Sequence, residues 1–198
     1  DVDIVVVREN TQGLYCGLEH YLTPEKDVAE SLAVVTREAS EKIIRYAFEY
    51  AVDNNRKKVT VCHKANILKF TQGLFLDVAR EIAPRYPAIE FDEKIIDAAC
   101  MHMVMNPAQF DVVVTTNLFG DILSDLTAGL VGGLGLIPGA NIGADAALFE
   151  AVHGSAPDIT GKNLANPTAV IMVGAMMLKH LGEDAASERV ERAVKKVI

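Results

Sequence analysis

Strand-like and helix-like patterns alternate along the whole of this 198-residue chain, and that alternation is the strongest constraint on its fold. Short runs rich in β-branched residues stand at 4–7, 32–35, 59–62, 89–91, 112–115 and 148–152, separated by stretches with helical spacing. The pattern predicts an α/β protein. Val112-Val113-Val114 is a continuous β-branched run, as expected of a strand buried on both faces. Between the strands, Ala39, Ile43, Ala47 and Ala51 form one apolar stripe and Leu74, Phe75, Val78 and Ile82 another. A third helix is predicted over 96–104, ending before Asn106-Pro107. The clearest runs from Asn166, a capping residue followed by Pro167, to Gly182. Its core face is expected at Ile171, Ala175 and Leu178, with Met172, Met176 and Met177 filling gaps.

Bulk properties exclude several function classes. The chain carries 19 basic and 27 acidic residues, a net charge of −8, which argues against nucleic acid as a partner. An anionic small substrate therefore has to be held by local positive groups. Cys16, Cys62 and Cys100 are odd in number and share no metal-type spacing, which predicts a reducing compartment. The longest apolar run, residues 169–178, falls short of the roughly 20 residues that span a bilayer, and no secretory signal pattern is visible. The chain opens directly in a strand pattern without Met and closes in helical spacing without a cap, so both ends are expected to be incomplete. Glycines 129, 132, 133 and 135 mark the best domain boundary. The Gly133-x-Gly135 pair lacks the third glycine of GxGxxG, so no Rossmann fingerprint is assigned.

Four segments carry chemistry. In Asn117-Leu118-Phe119-Gly120-Asp121-Ile122-Leu123-Ser124-Asp125, a helix starting near Gly120 places Asp121 and Asp125 on one face. They are either two acids favoured by the helix dipole or a hard-cation site at the carboxyl end of a buried strand. Arg8 closes a strand and Tyr15 follows a turn; alone, one reads as a surface cation and the other as a packed aromatic. His63-Lys64-Ala65-Asn66 is an ordinary loop or a polar strand end with a role. The loop from His153 through Gly154, Ala156 and Asp158 to Gly161 is rich in exposed backbone N–H groups, which suits a nucleotide, although a structural turn has the same composition.

Taken together and in this order, these segments resemble the β-decarboxylating dehydrogenases: isocitrate, homoisocitrate, 3-isopropylmalate and tartrate dehydrogenases. The match runs from Asn117–Asp125 through the glycine cluster to Pro138-Gly139-Ala140-Asn141-Ile142-Gly143, then to the His153 loop with Asn166-Pro167. Arg8-Glu9-Asn10-Thr11 and Tyr15-Cys16-Gly17-Leu18-Glu19-His20 look like isocitrate dehydrogenase. An isopropylmalate enzyme usually has another run after the Arg and an Asp in place of His63, whereas homoisocitrate dehydrogenase shares His-Lys-Ala-Asn.

The resemblance implies the isocitrate/isopropylmalate dehydrogenase-like α/β fold. Residues 1–131 would form the smaller, substrate- and dimer-forming domain with an arm, and 132–198 part of the larger domain with the cofactor loop. It implies that Arg8 holds a substrate carboxylate and that Asp121 and Asp125 bind Mg²⁺ or Mn²⁺ with Asp97 of a partner copy. Lys64, also from the partner, would deprotonate the hydroxyl; Tyr15 would protonate the decarboxylated product; Asn66 would touch substrate or cofactor beside Lys64. NAD would lie on Asn141, Ile142, Gly143, His153, Gly154, Ala156, Asp158, Ile159 and Asn166. The implied substrate is a 2-hydroxy tri- or dicarboxylate, the assembly a homodimer or higher homo-oligomer with shared sites, and the compartment bacterial or archaeal cytoplasm or the mitochondrial matrix. The rival readings are a non-catalytic regulatory subunit, against which all six catalytic positions are present, and an inert truncated fragment.

Overall fold

The computed structural model describes residues 2–198. By its internal packing the chain divides into two compact units, Asp1–Thr127 and Ala128–Ile198.

The first unit is organised by four parallel strands in the order β1-β6-β4-β5: β1 (Val5–Arg8), β4 (Lys58–His63), β5 (Glu90–Ile95) and β6 (Val112–Thr115). All four residues of β6 are buried, as their unbroken β-branched run requires. Between the strands run α1 (Arg37–Asp53), α2 (Thr71–Ile82) and α3 (Ile96–Met105). Val7, Val59, Val61, Val112 and Val114 pack on Ile44, Ala47, Phe48 and Ala51 of α1 and on Phe75, Val78, Ala79 and Ile82 of α2. The registers pair Arg8 with Thr115, Thr115 with Cys62, and His63 with Ile95. The carboxyl ends of all four strands therefore line one edge, where ligands bind in sheets of this kind. From that edge springs α4 (Asn117–Leu130), within which the division between units falls. It starts at Asn117, three residues before the expected Gly120.

The predicted strand at 32–35 is not formed. An antiparallel hairpin of β2 (Glu19–Tyr21) and β3 (Ala29–Ser31) lies just upstream, and Val34 makes only an isolated bridge to Gly13. All six hairpin residues are exposed, so no apolar alternation announces it. In α1 the buried face is Ser40, Ile44, Ala47, Phe48 and Ala51, with the anticipated Ile43 only packed against its edge.

In the second unit, β7 (Pro138–Ile142) pairs antiparallel with β8 (Ala147–Ala151). Helix α5 (Thr168–His180) packs on both strands, and α6 (Asp184–Val197) packs on α5. The α5 backbone N–H at Thr168 donates to Asn166 Oδ1 at 3.0 Å, and Gly182 beyond its far end takes a left-handed φ of 80°. Its core face differs from the expected one: Ala169, Val173 and Ala175 are buried, whereas Ile171 is exposed. The helix is apolar on nearly every side, so the strands beneath it select the buried face, and periodicity cannot. No helix among the described residues is long and apolar enough to cross a membrane.

Candidate active site

Arg8 is the last residue of β1, and Asn117 and Asp121 stand one turn apart at the start of α4, which follows the neighbouring strand β6. Arg8 Nη1 reaches Asp121 Oδ1 at 2.5 Å, and the Tyr15 hydroxyl donates to Asp121 Oδ2 at 2.9 Å. The guanidinium lies over the Tyr15 ring, 5.1 Å from its centroid. Tyr15 sits in a 3₁₀ turn, Leu14–Cys16, bounded by Gly13 and Gly17 at φ 85° and 67°. Only glycine adopts both at little cost, so the glycines make the turn that aims the phenol. Asp125, exposed, lies one turn farther along α4.

Behind these groups is a buried polar brace that carried no predicted role. Asn117 Oδ1 accepts from Arg8 Nε at 3.0 Å and Nη2 at 2.8 Å, while its Nδ2 donates to Gln12 O at 3.0 Å. The Glu9 carboxylate is 5% exposed; it accepts from the Thr11 N–H at 2.8 Å, the Gln12 N–H at 3.2 Å and the Thr11 hydroxyl, closing the turn after β1. Gln12 Oε1 accepts from the Thr36 N–H at 3.1 Å. Gly120 supplies clearance, since a Cβ there would stand 2.5 Å from Arg8 Cγ and 2.7 Å from its Cβ.

A second group forms at the same sheet edge beyond β4. Lys64 Nζ is paired with Asp97 Oδ1, and this bond holds the Asp97 carboxyl below the usual carboxylate range. The turn carrying Lys64 is fixed by its carbonyl, which accepts from Ile67 and Leu68 N–H, and by His63, whose Nδ1 accepts from Ala65 N–H at 3.1 Å. Burial pushes the His63 pKa down, so the ring is neutral. Asn66 is exposed in the same turn. Strand β6 lies between β1 and β4, which sets the strands bearing the two groups roughly 10 Å apart. No hydrogen bond joins the groups among the described residues.

The structure thus brings Arg8, Tyr15 and Asp121 together in one group, and Lys64 and Asp97 in another. Among the described residues no three His, Cys, Asp or Glu side chains gather to hold a metal ion. Asp121 and Asp125 alone form a two-carboxylate donor set on one helix face. That chemistry fits a hard cation whose remaining positions go to water, substrate or a further acid.

In the second unit, a pocket of 480 Å³ is lined by His153, Gly154, Ala156 and Ile159, together with Ser155, Thr160, Gly161, Asn163, Leu164 and Ala165. Ala156 holds a left-handed φ of 43° at the head of the 3₁₀ turn Pro157–Ile159. Asp158, exposed in that turn, is outside the lining, as are Asn141, Ile142, Gly143 and Asn166. Asn141 Nδ2 donates to Glu150 Oε1 at 2.9 Å, and Gly143 N–H to Ala146 O at 2.9 Å. Ser155, Thr160 and Gly161 belong to the loop expected to suit a nucleotide, whereas Asn163, Leu164 and Ala165 lie beyond it and had no predicted role.

The family described as isocitrate/isopropylmalate dehydrogenase matches residues 1–198. The 3-isopropylmalate dehydrogenase of Archaeoglobus fulgidus is 59% identical over 197 residues, covering 100% of this chain and 60% of that protein. The probable isocitrate dehydrogenase [NAD] subunit alpha, mitochondrial, of Drosophila melanogaster is 53% identical over 98% of this chain and 51% of its own length. The crystal structure of isocitrate dehydrogenase from Methylococcus capsulatus superposes with a TM-score of 0.96 at 68% identity, covering 100% of this chain and 59% of that one. The chain thus spans between half and two thirds of the length of these relatives.

Proposed function

The chain belongs to the isocitrate/isopropylmalate dehydrogenase family of β-decarboxylating dehydrogenases, and from that premise we propose that it supports the NAD-linked oxidative decarboxylation of isocitrate to 2-oxoglutarate with Mg²⁺ or Mn²⁺. The observation that carries the reading is the convergence of Arg8 and Tyr15 on Asp121 at the carboxyl edge of the sheet. It gathers an anion binder, a proton donor and a cation ligand within one hydrogen-bonded group.

The residues divide the work by their chemistry. Arg8 binds a substrate carboxylate, its fork of N–H donors matching two oxygens. Asp121 and Asp125 hold the divalent cation, with Asp97 from a second copy. Lys64 takes the proton from the substrate hydroxyl, and the Tyr15 hydroxyl returns one to the carbon left by CO₂. Asn66, in the Lys64 turn, contacts substrate. His153, Gly154, Ala156 and Ile159 receive the dinucleotide, with Asn141, Ile142, Gly143, Asp158 and Asn166 around it. When bound, NAD accepts the hydride and the cation withdraws charge from the substrate oxygens. The two residue groups each lack what the other holds, which supports a homodimer with sites completed across it. The compartment would be bacterial or archaeal cytoplasm or the mitochondrial matrix.

A second substrate assignment has its own support. Relatives with similar identity are named 3-isopropylmalate dehydrogenase and homoisocitrate dehydrogenase, the latter 54% identical and from Methanocaldococcus jannaschii. The run after Arg8 and the His63-Lys64 pair favour isocitrate over isopropylmalate. The test compares kcat/KM of the intact enzyme for the three hydroxy acids, with and without chelator. Isocitrate is expected to lead, and EDTA to abolish turnover. A preference for isopropylmalate would replace the substrate assignment, and full turnover in EDTA would remove the metal.

A further inference from the structure

Arg8 is positioned by two acceptors of different kinds, and the difference has a consequence. Asp121 is charged, and in the proposed function its carboxylate would hold a cation, which would weaken its grip on the guanidinium. Asn117 is neutral and 1% exposed, and its Oδ1 takes two N–H groups of the guanidinium. Its amide cannot be reversed without loss, because Nδ2 donates to the Gln12 carbonyl; a flipped amide would set N–H against N–H and oxygen against oxygen. The Gln12 carbonyl is itself held, since the Glu9 carboxylate takes the Gln12 N–H and the Gln12 side chain takes the Thr36 N–H. Beneath the arginine stem, Gly120 leaves no side chain to deflect it.

We propose that Asn117 is the positioning residue for the substrate-binding arginine: it fixes the direction of the Arg8 fork without setting a negative charge of its own against it. A carboxylate in its place would hold the same two N–H groups but would compete with the substrate carboxylate for the charge. A neutral acceptor does only the first. The proposal rests on Arg8 binding a substrate carboxylate.

The test uses Asn117→Ala and Asn117→Asp in the intact enzyme. An arginine that contacts substrate equally in ground and transition states acts on KM, so Asn117→Ala is expected to raise the hydroxy-acid KM about 30-fold and to leave kcat within about threefold. The KM for NAD should not move. Asn117→Asp, nearly identical in shape, is expected to raise the same KM by about tenfold or more, through the added charge and the lost bond to the Gln12 carbonyl. In an Arg8→Met background, Asn117→Ala should add less than about threefold, because a residue acting through Arg8 has nothing left to position. The same factor in both backgrounds, or an unchanged KM in both variants, would overturn the proposal. If Asn117→Ala precipitates, Asn117→Asp decides alone; a soluble enzyme with normal KM overturns the idea, and so does failure of both variants to fold, which would make the residue purely structural. A wild-type enzyme inactive on all three hydroxy acids would instead bring down the functional reading, and this one with it.

Discussion

Two single residues make predictions that their surroundings decide. Asp158 is exposed in the 3₁₀ turn Pro157–Ile159 of the second unit, and in the proposed cofactor site its carboxylate would accept from ribose hydroxyls. The 2′-phosphate of NADP would set close to two negative charges against it, and the next cation in the loop is Lys162. A preference for NAD of about a hundredfold in kcat/KM is expected. Asp158→Lys with Ile159→Tyr, which supplies a cation and a hydroxyl, should move it toward NADP; equal use of both cofactors by the unmodified enzyme would refute the assignment. His63 carries the second prediction. Desolvation lowers its pKa from 6.5, with Glu93 opposing and Arg80 reinforcing, so the folded state prefers the neutral ring. The unfolded chain then binds more protons than the folded one just below pH 6.5; the stabilisation is complete above that value and is lost as pH falls through the lower folded pKa. Protonation also removes the lone pair that accepts from Ala65 N–H. Urea midpoints should fall between pH 7 and pH 5 in the wild type and change less in His63→Gln. Arg8, Tyr15, Lys64, Asp97 and Asp121 were singled out through the resemblance of their segments to a family, and the structure gathers them into two groups. Asn117, Gln12 and Gly120 were not, because their work lies in contacts more than 100 residues apart in sequence, such as Arg8 with Asn117.

Elements were legible where burial imposes a period. Helices α1 and α2 follow from apolar spacing, since each buries a stripe against a neighbour, and β6 follows from its unbroken β-branched run. The β2–β3 hairpin has no buried face, and β7 contains Pro138 and Gly139, so neither presents the alternation that marks a strand. The apolar 32–35 segment misled for the opposite reason: its residues are strand formers, but the hairpin had already closed through Ala29–Ser31. The start of α1 yields an element-scale prediction. Thr36 Oγ1 accepts from Ala39 N–H at 3.2 Å, capping a helix that supplies Ile44, Ala47, Phe48 and Ala51 to the core. Thr36→Ala should cost about 1 kcal/mol of unfolding free energy. The Thr36 N–H that binds Gln12 survives that substitution, so kcat/KM should be nearly unchanged. A large loss of activity without loss of stability would show that the cap also serves the site.

At the scale of the molecule, two features of the first unit bear on the homodimer proposed above. Met101, Val104 and Met105 of α3 are 52%, 60% and 73% exposed, and Ile122 of α4 is 49% exposed. Several apolar side chains left open on one helix, as on α3, suit an interaction surface. The candidate site residues are also divided: Tyr15, Arg8 and Asp121 form one group, whereas Lys64 and Asp97 form the other. Two-fold pairing would bring the first group of each copy to the second group of its partner, because a two-fold axis applies each contact twice. Tyr15→Phe and Lys64→Met enzymes should each be nearly inactive. In a mixed dimer one site receives both substitutions and the other receives neither. After equal mixing and random exchange half the dimers are mixed, so roughly a quarter of wild-type activity should return. Heterodimers identified by differential tags that remain inactive would show that Tyr15 and Lys64 serve a site within one chain. Activity rising with time at the rate of subunit exchange, and absent in either variant incubated alone, would place the two residues on opposite sides of the interface.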